Sequence, residues 1–370
     1  MRIGISAEFI SMKSGGPESY IANLLKALMM IDNNNDYNLY VINQEALSDF
    51  NIPDNFNICP LKLYNPWIRN TVIMPIELAR RPVDILHVQN VVPLGYRGKL
   101  VVTIHDISFE IYPETFPRAM RLRLSMLVKS TARKANLVLT GSENTKKDLI
   151  ELYRIPAEKI EVIPYAHNRI YRPIKDQGQI ERIKLKYGIH GNFVLYAGTL
   201  QPRKNIVGLI KAWDIVRQKY KLKYKLVIVG KAGWLYSDIL RMIQNHTHSE
   251  DIICAGYIRD DEMPFIFNAA SVFIHPSFYE GFGLTVLEAL ACGVPVIASN
   301  NSSLPEVVGD AGILINPYNH EEIADAIYKI VTNPELRAHL ISEGLQRSEK
   351  FSWEYTAQRT LDAYKKTYLN

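Results

Sequence analysis

The chain of 370 residues is long enough for two domains of ordinary size, and its 47% hydrophobic content allows a well-formed core in each. A net charge of +5, with basic and acidic residues nearly balanced in both halves, excludes a nucleic-acid-binding footprint. Cys59, Cys254 and Cys292 lie far apart, fit no zinc spacing and read as free thiols of a reducing compartment.

The opening residues MRIGISAEFI read as a strand rather than a signal peptide, because the apolar run is short and no cleavage pattern follows. No uncharged apolar stretch reaches the roughly 18 residues of a membrane span. No solenoid period or low-complexity block appears.

A first strand is expected at 3–7, then the loop Met-Lys-Ser-Gly-Gly-Pro at 12–17. Pro17 suits the first turn of a helix, and Ile21, Leu24, Leu25 and Leu28 recur at helical spacing. Gly15 and Gly16 therefore stand between a strand and a helix N-terminus, where α/β sheets bind anions; a plain tight turn is the other reading. Further strands are expected at 37–43, 57–61 and 84–89. His87 alternates with apolar neighbours and reads as a core histidine.

Residues 99–105, KLVVTIH, form the clearest strand of the first half. His105 and Asp106 stand at its C-terminal end, where doubly wound sheets put ligands; a structural cap is the alternative. A helix is expected at 118–136. It carries Arg118, Arg121, Arg123, Lys129, Arg133 and Lys134 and no acid, with Leu122, Leu124, Met126, Leu127 and Val128 as apolar contacts. Such a helix lies on an anionic membrane, meets a phosphorylated acceptor, or is a solvated face packed on the sheet. Residues 66–69 and Arg80-Arg81 would join the same surface. A strand at 137–140, a helix capped by Ser142 and a strand at 160–164 complete this half. Residues 164–173, with two prolines, read as a linker and hinge.

The second half opens with a helix at 180–187 and a strand at 192–197. The loop Gly-Thr-Leu-Gln-Pro-Arg-Lys-Asn at 198–205 follows, then a helix with Val207, Leu209, Ile210 and Trp213. Arg203 and Lys204, adjacent in a strand-to-helix loop, can neutralise a departing diphosphate. Strands are expected at 226–230 and 252–256 and a helix at 260–268. Residues 272–298 form one strand, glycine-loop, helix, strand step of a parallel sheet, with Glu280, Gly281 and Gly283 in the loop. Glu280 and Glu288 would lie about 12 Å apart if both were helical, too far for a carboxylate dyad around one bond. That spacing suits the two ends of an extended ligand with a diphosphate between them, although Glu288 alone also fits as a helix former. A polar loop at 300–306, helices at 321–331 and 334–350 and an amphipathic closing helix at 351–368 end the chain.

Glu280-Gly281-Phe282-Gly283-Leu284 through Glu288, with the following Ala-Cys-Gly-Val-Pro-Val-Ile-Ala, resembles the signature of glycosyltransferase family four. The resemblance covers almost the whole chain and is densest at 198–317. The Gly-Thr-Leu loop and the His105-Asp106 loop look like its mannosyltransferase-like members. It implies an α/β GT-B fold: two Rossmann-like doubly wound domains facing across a cleft, at 1–170 on the acceptor side and 171–350 on the nucleotide-sugar side. A crossover helix at 351–370 would pack on the first.

It also implies a site. His105 would reach the transferred sugar, and Arg203 and Lys204 the diphosphate. Arg203 would serve where many members carry an Arg at the position of Thr199. Gly16 and Gly15 would approach the donor phosphates, and the Tyr257-Ile258 turn the nucleobase. Glu280 would hold sugar hydroxyls and Glu288 the ribose. Gly281, Phe282, Gly283, Leu284 and Thr285 would complete the donor site, with Phe282, Gly283 and Leu284 acting through main-chain groups. Ala166 stands where a glycine is frequent.

The expected activity is retaining transfer of a sugar, with GDP-mannose as donor, to a saccharide or lipid-linked saccharide in polysaccharide synthesis. No cofactor or metal is expected, because the cations and helix N-termini take the place of Mg²⁺. The expected location is cytoplasmic, peripheral on the inner face of the membrane if the basic helix docks there. Rival readings are a sugar-nucleotide epimerase or phosphorylase on the same fold and a non-catalytic sugar-nucleotide-binding scaffold. A nicotinamide oxidoreductase is disfavoured, since no G-x-G-x-x-G follows either first strand.

Overall fold

A computed structural model describes residues 1–10, 15–61, 65–246 and 249–369. The chain divides into two compact units. The first comprises Met1–Glu110, Ala119–Tyr165 and Ser352–Asn370; the second comprises Ile111–Arg118 and Ala166–Phe351.

The first unit is built on seven parallel strands: β1 (Arg2–Ser6), β2 (Asp36–Val41), β3 (Phe56–Pro60), β4 (Ile85–Gln89), β5 (Lys99–Thr103), β6 (Leu137–Thr140) and β7 (Ile160–Val162). They run in the order β3-β2-β1-β4-β5-β6-β7. β4, β5 and β6 are short β-branched and leucine runs buried along nearly their whole length, as strands covered on both faces must be. The helix Gly16–Ile31 has Pro17 in its first turn and buries Tyr20, Ile21, Leu24, Leu25 and Leu28. The closing helix Trp353–Leu369 packs on that helix and on β4 and β5.

A chain of buried polar groups ties these layers together. The Tyr364 hydroxyl lies 2.6 Å from His87 Nδ1, and His87 Nε2 lies 2.7 Å from Thr103 Oγ1. Thr103 Oγ1 in turn meets the Tyr20 hydroxyl at 2.9 Å. His87 is a core histidine with both nitrogens satisfied. Burial, with His105 nearby, pushes its pKa down to about 3.

The second unit repeats the winding with β8 (Phe193–Ala197), β9 (Lys225–Val229), β10 (Ile252–Gly256), β11 (Val272–His275), β12 (Val296–Ser299) and β13 (Gly312–Ile315). The order is β10-β9-β8-β11-β12-β13, all parallel. Its core gathers Trp213, Leu209, Ile210, Leu226, Ile228, Ile274 and Ile327 between the sheet and the helices Ile206–Gln218 and His320–Thr332. Side-chain caps open several helices: Asn205 accepts from Gly208 N, Asn319 from Glu322 N and Asn333 from Leu336 N.

The domain limits expected from the sequence need correction. The chain leaves the first unit after Tyr165 rather than after residue 170 and returns at Ser352 rather than 351. Residues 111–118 belong with the second unit. There Tyr112 stacks on Phe278 with ring centroids 6.2 Å apart, and Phe116 packs on Trp234 at 5.1 Å. Trp234 Nε1 also donates to the Thr115 carbonyl at 2.7 Å. Ala166 has no positive φ and so needs no glycine. The helix Ser237–Gln244, the helical stretch from Pro66 to Arg80 with its π-helical turn Arg69–Ile73, and β13 were not anticipated.

The long basic helix spans Arg118–Lys134 but buries only Val128, Thr131 and Ala132. Leu122, Met126 and Leu127, expected as packing contacts, are exposed, the first two by about 60%. Lys129 is not a free surface cation, because its Nζ sits 5.3 Å over the Tyr153 ring. Arg118 falls in the second unit, the other five cations in the first.

His87 gives a pH test. Its pKa is depressed in the folded state, so its contribution is present above its unfolded value near 6.5 and is lost as pH falls toward about 3. Between pH 7 and pH 5 the first unit is expected to lose on the order of 2 kcal/mol from this group. Urea unfolding at the two pH values is expected to show a smaller difference for His87→Gln.

Candidate active site

In the second unit the sheet reverses its direction of winding between β8 and β11, so the loops after these two strands lie side by side beyond their C-terminal ends. The loop after β8 carries Arg203 and Lys204; the loop after β11 carries Glu280. This adjacency, invisible in the linear spacing, brings the three together. Lys204 Nζ lies 2.5 Å from Glu280 Oε1, and Arg203 NH1 lies 3.3 Å from Oε2. Arg203 NH1 also donates to the Tyr279 carbonyl, and Phe278 N donates to the Arg203 carbonyl at 2.9 Å.

His275, the last residue of β11, completes the arrangement. It stacks on Tyr196 at 5.9 Å, and its Nε2 lies 2.9 Å from Glu280 Oε1. Glu280 is only 7% exposed. Burial alone would raise its pKa, but the charges of Lys204 and Arg203 and the hydrogen bond from His275 outweigh it and hold the carboxyl well below the usual range. Burial lowers the His275 pKa, against the opposing pull of Glu280. The ionised carboxylate is thus fixed in position by three groups.

The polar loop after β12 fixes the backbone of the Glu280 loop. Glu280 N donates to Ser302 Oγ at 3.0 Å, Ser303 Oγ lies within 2.9 Å of both the Glu280 and the Phe282 carbonyls, and Asn301 Nδ2 donates to the Phe278 carbonyl at 2.9 Å. His275, Asn301, Ser302 and Ser303 escaped the sequence reading. The signal available was the polar run at 300–303 following a second strand.

The helix Leu284–Ala291 starts from Gly283, whose φ of 110° places it in the left-handed region. A Cβ there would stand 2.8 Å from Leu304 Cδ2. The first intrahelical bond is from Val286 N to the Gly283 carbonyl, so the amides of Leu284 and Thr285 precede the ladder. Glu288 follows on this helix, half-buried. Its carboxyl has no hydrogen-bond partner among the described residues. Burial, and then the charge of Asp260, raises its pKa to about 8. Tyr257 is a rim residue, 43% exposed, with its hydroxyl on Asp260 at 3.0 Å and Lys231 Nζ 4.2 Å above its ring. Ile258 beside it is buried. Gly281 and Phe282 are buried in the same loop, where the Phe282 ring packs edge-on against Phe351 at 5.9 Å.

The remaining candidates belong to the first unit. His105 follows β5 and is half-buried, with Nδ1 2.9 Å from the Tyr165 hydroxyl and Nε2 2.7 Å from Gln89 Oε1. Burial, opposed by Asp106, lowers its pKa to about 4, so the ring is neutral at ordinary pH. Asp106 is a cap: its Oδ1 accepts from both the amide and the hydroxyl of Ser108. Gly15, at φ 73°, is the N-cap of the helix Gly16–Ile31. Among the described residues a Cβ at Gly15 or Gly16 would meet nothing within 4 Å. Residues 12–14 of the preceding loop lie outside the described residues.

Comparison with known proteins places the family and the fold. The profile of Glycosyltransferase Family 4 matches residues 14–168, and that of Glycosyl transferases group 1 matches residues 179–347. The O-antigen chain mannosyltransferase B of Escherichia coli is 35% identical over 268 residues, covering 72% of this chain and 70% of that one. The serotype-specific mannosyltransferase WbdA of Escherichia coli is 29% identical over 272 residues; the match covers 72% of this chain and 33% of WbdA. Among solved structures, sucrose-phosphate synthase from Thermosynechococcus elongatus superposes with a TM-score of 0.80 at 20% identity, covering 100% of this chain and 99% of that one. HepE of Anabaena, in complex with UDP and glucose, gives 0.77 at 20% identity over 99% of both chains. These likenesses show the fold, two Rossmann-like units of the GT-B class.

The β8 loop is braced where two glycines meet. Gly198 N donates to the Val229 carbonyl at 2.9 Å, and a Cβ at Gly230 would stand 1.9 Å from the Gly198 carbonyl oxygen. Gly230→Ala is therefore expected to cost roughly 2–4 kcal/mol. Gly16→Ala, whose Cβ meets nothing within 4 Å among the described residues, is expected to change stability by less than about 0.5 kcal/mol. Thermal denaturation of the two variants checks the contrast.

Proposed function

Because the chain belongs to the group 1 glycosyltransferases of glycosyltransferase family four, we propose that it transfers mannose from GDP-mannose to a saccharide or lipid-linked saccharide acceptor, with retention of anomeric configuration. The observation that carries this reading is the ionised Glu280, held by Lys204, Arg203 and His275 one loop before a helix that bears an unpartnered Glu288.

In this reading Glu280 accepts hydrogen bonds from hydroxyls of the transferred sugar. Glu288 binds the ribose hydroxyls, and the turn at Tyr257-Ile258 borders the base. Lys204, Arg203 and the amides of Leu284 and Thr285 face the diphosphate, with Gly281, Phe282 and Gly283 giving main-chain approach. Gly15 and Gly16 give the phosphates and the acceptor a similar approach in the first unit. His105 attends the transferred sugar. Its two ring nitrogens are engaged by Tyr165 and Gln89, so reaching a sugar hydroxyl means exchanging one of those partners.

The route is front-face substitution. The bond from C1 to the β-phosphate oxygen breaks as the bond from the acceptor oxygen to C1 forms on the same side. The acceptor proton passes to that phosphate oxygen. A covalent glycosyl-enzyme would need a carboxylate free to attack. Glu280 is committed to two cations and a histidine, which disfavours it for that task. Positive charge for the leaving diphosphate comes from Arg203 and Lys204, so the scheme needs no metal ion or other cofactor.

The E. coli relatives named for mannosyl transfer, and the Gly-Thr-Leu-Gln-Pro-Arg-Lys-Asn loop, support the mannosyl assignment. Calorimetric titration of GDP-mannose, UDP-glucose and UDP-N-acetylglucosamine is expected to show preference for GDP-mannose, weakened at least about tenfold in Lys204→Ala. Preference for a UDP-sugar, or no binding of GDP-mannose, would remove the donor assignment. An inverted anomeric centre in the product, read by NMR, would remove retention.

We further propose that the enzyme works in the cytoplasm, against the inner face of the membrane. Among the described residues no helix is long and apolar enough to cross a membrane. The first unit offers a surface instead. Exposed Leu122 and Met126 lie among Arg121, Arg123, Arg133 and Lys134. Val92 N donates to Thr131 on this helix, and Leu94 N to the Asn70 carbonyl of the π-helical turn. Exposed Leu94 therefore links the basic helix to exposed Trp67, Ile68 and Val72. Basic charge around apolar side chains suits anionic lipid. Wild type is expected to co-sediment with vesicles containing phosphatidylglycerol, and the double variant Arg121→Glu, Arg123→Glu to bind at least about tenfold less. Absence of wild-type binding would retire the membrane contact.

A further inference from the structure

His105 sits in a cluster at which the chain also makes its two long connections to the second unit. Tyr165 is the last residue before the chain passes to Ala166, and Ser352 is the first on its return. The two strands of chain are pinned together, Thr356 Oγ1 donating to the Pro164 carbonyl at 2.6 Å. The Tyr165 ring stacks on Trp353 with centroids 6.4 Å apart and planes 9° apart, and lies 4.7 Å from the Tyr20 ring. Gly141 leaves room for it, since a Cβ there would stand 2.9 Å from Tyr165 Cζ. The ring is thus enclosed by packing, and its hydroxyl lies 2.9 Å from His105 Nδ1.

A neutral imidazole has one N–H and one lone pair. With Gln89 Oε1 accepting at 2.7 Å, the N–H is on Nε2, and Nδ1 accepts from the tyrosine hydroxyl. We propose that Tyr165 is the positioning residue for His105: it fixes the Nε2–H tautomer and the ring orientation. Nε2–H is then the group that passes from Gln89 Oε1 to a hydroxyl of the transferred sugar, while Nδ1 never leaves Tyr165. This rests on the reading of His105 as a sugar contact. It adds that both long connections between the units bear on that contact, through Tyr165 on one side and Trp353 on the other.

Tyr165→Phe keeps the stacking and removes the hydroxyl. Its kcat for sugar transfer is expected to fall about tenfold, the worth of one buried hydrogen bond, while the donor KM stays within about twofold of wild type. Nitrogen-15 NMR of the imidazoles, with the His105 signals identified by their loss in His105→Gln, is expected to show the Nε2–H tautomer in wild type and a mixture of tautomers in Tyr165→Phe. Gly141→Ala, which displaces the ring without removing the hydroxyl, is expected to perturb the same signals. A wild-type Nδ1–H tautomer, or unchanged tautomer and kcat in a folded Tyr165→Phe, overturns the proposal. So does a loss of kcat that only tracks a fall in melting temperature. If wild type transfers sugar from no donor, the functional reading fails, while the NMR comparison still decides what Tyr165 does to His105.

Discussion

One buried carboxylate organises the second unit. Glu280 is withdrawn from water, which by itself disfavours its charge, and it stays ionised because two cations and a histidine meet it there. The two cations come from the β8 loop and the histidine from the end of β11. Taking Glu280 away leaves the charges of Arg203 and Lys204 without their counter-charge, a loss of about 3–5 kcal/mol in comparable buried pairs. The cluster is therefore a folding constraint as much as a chemical device. The seryl and asparaginyl contacts from residues 301–303 hold the backbone of the same loop.

In the first unit the buried His87 and the half-buried His105 both have their pKa lowered by burial and are linked to hydroxyls and an amide. The second gathers full charges beyond the C-terminal ends of its two central strands, β8 and β11.

Much of this was legible in the sequence. Parallel strands covered on both faces announce themselves as unbroken apolar runs, and KLVVTIH and LVIVG are such runs. β13 was hidden because three of its four residues are only half-buried and its run, GILI, is short. The helical stretch from Pro66 to Arg80 contains two prolines and a π-helical turn, which break the periodicity by which helices are recognised. Helix Ser237–Gln244 did carry a usable signal in Ile239, Met242 and Ile243. At the site, residue types and loops were readable, but partners were not. That Lys204 and Arg203 are bound to Glu280 depends on which strands are neighbours in the sheet, and no local spacing encodes that. In the helix Arg118–Lys134, of the apolar residues expected to supply contacts Val128 is buried, beside Thr131 and Ala132, while Leu122, Met126 and Leu127 are exposed.

The chain passes between its units four times, at 110/111, 118/119, 165/166 and 351/352. The short excursion at 111–118 seats Phe116 against Trp234, gives the Trp234 indole a carbonyl acceptor, and lays Tyr112 over Phe278, two residues before Glu280. A piece of sequence from the first half is thus a structural part of the second. Chimeras that exchange donor specificity between relatives by a single cut near residue 165 would separate these eight residues from the surface they fit. Working hybrids should carry residues 111–118 along with the graft, and in natural sequences changes at Tyr112 and Phe116 should be matched by changes at Phe278 and Trp234.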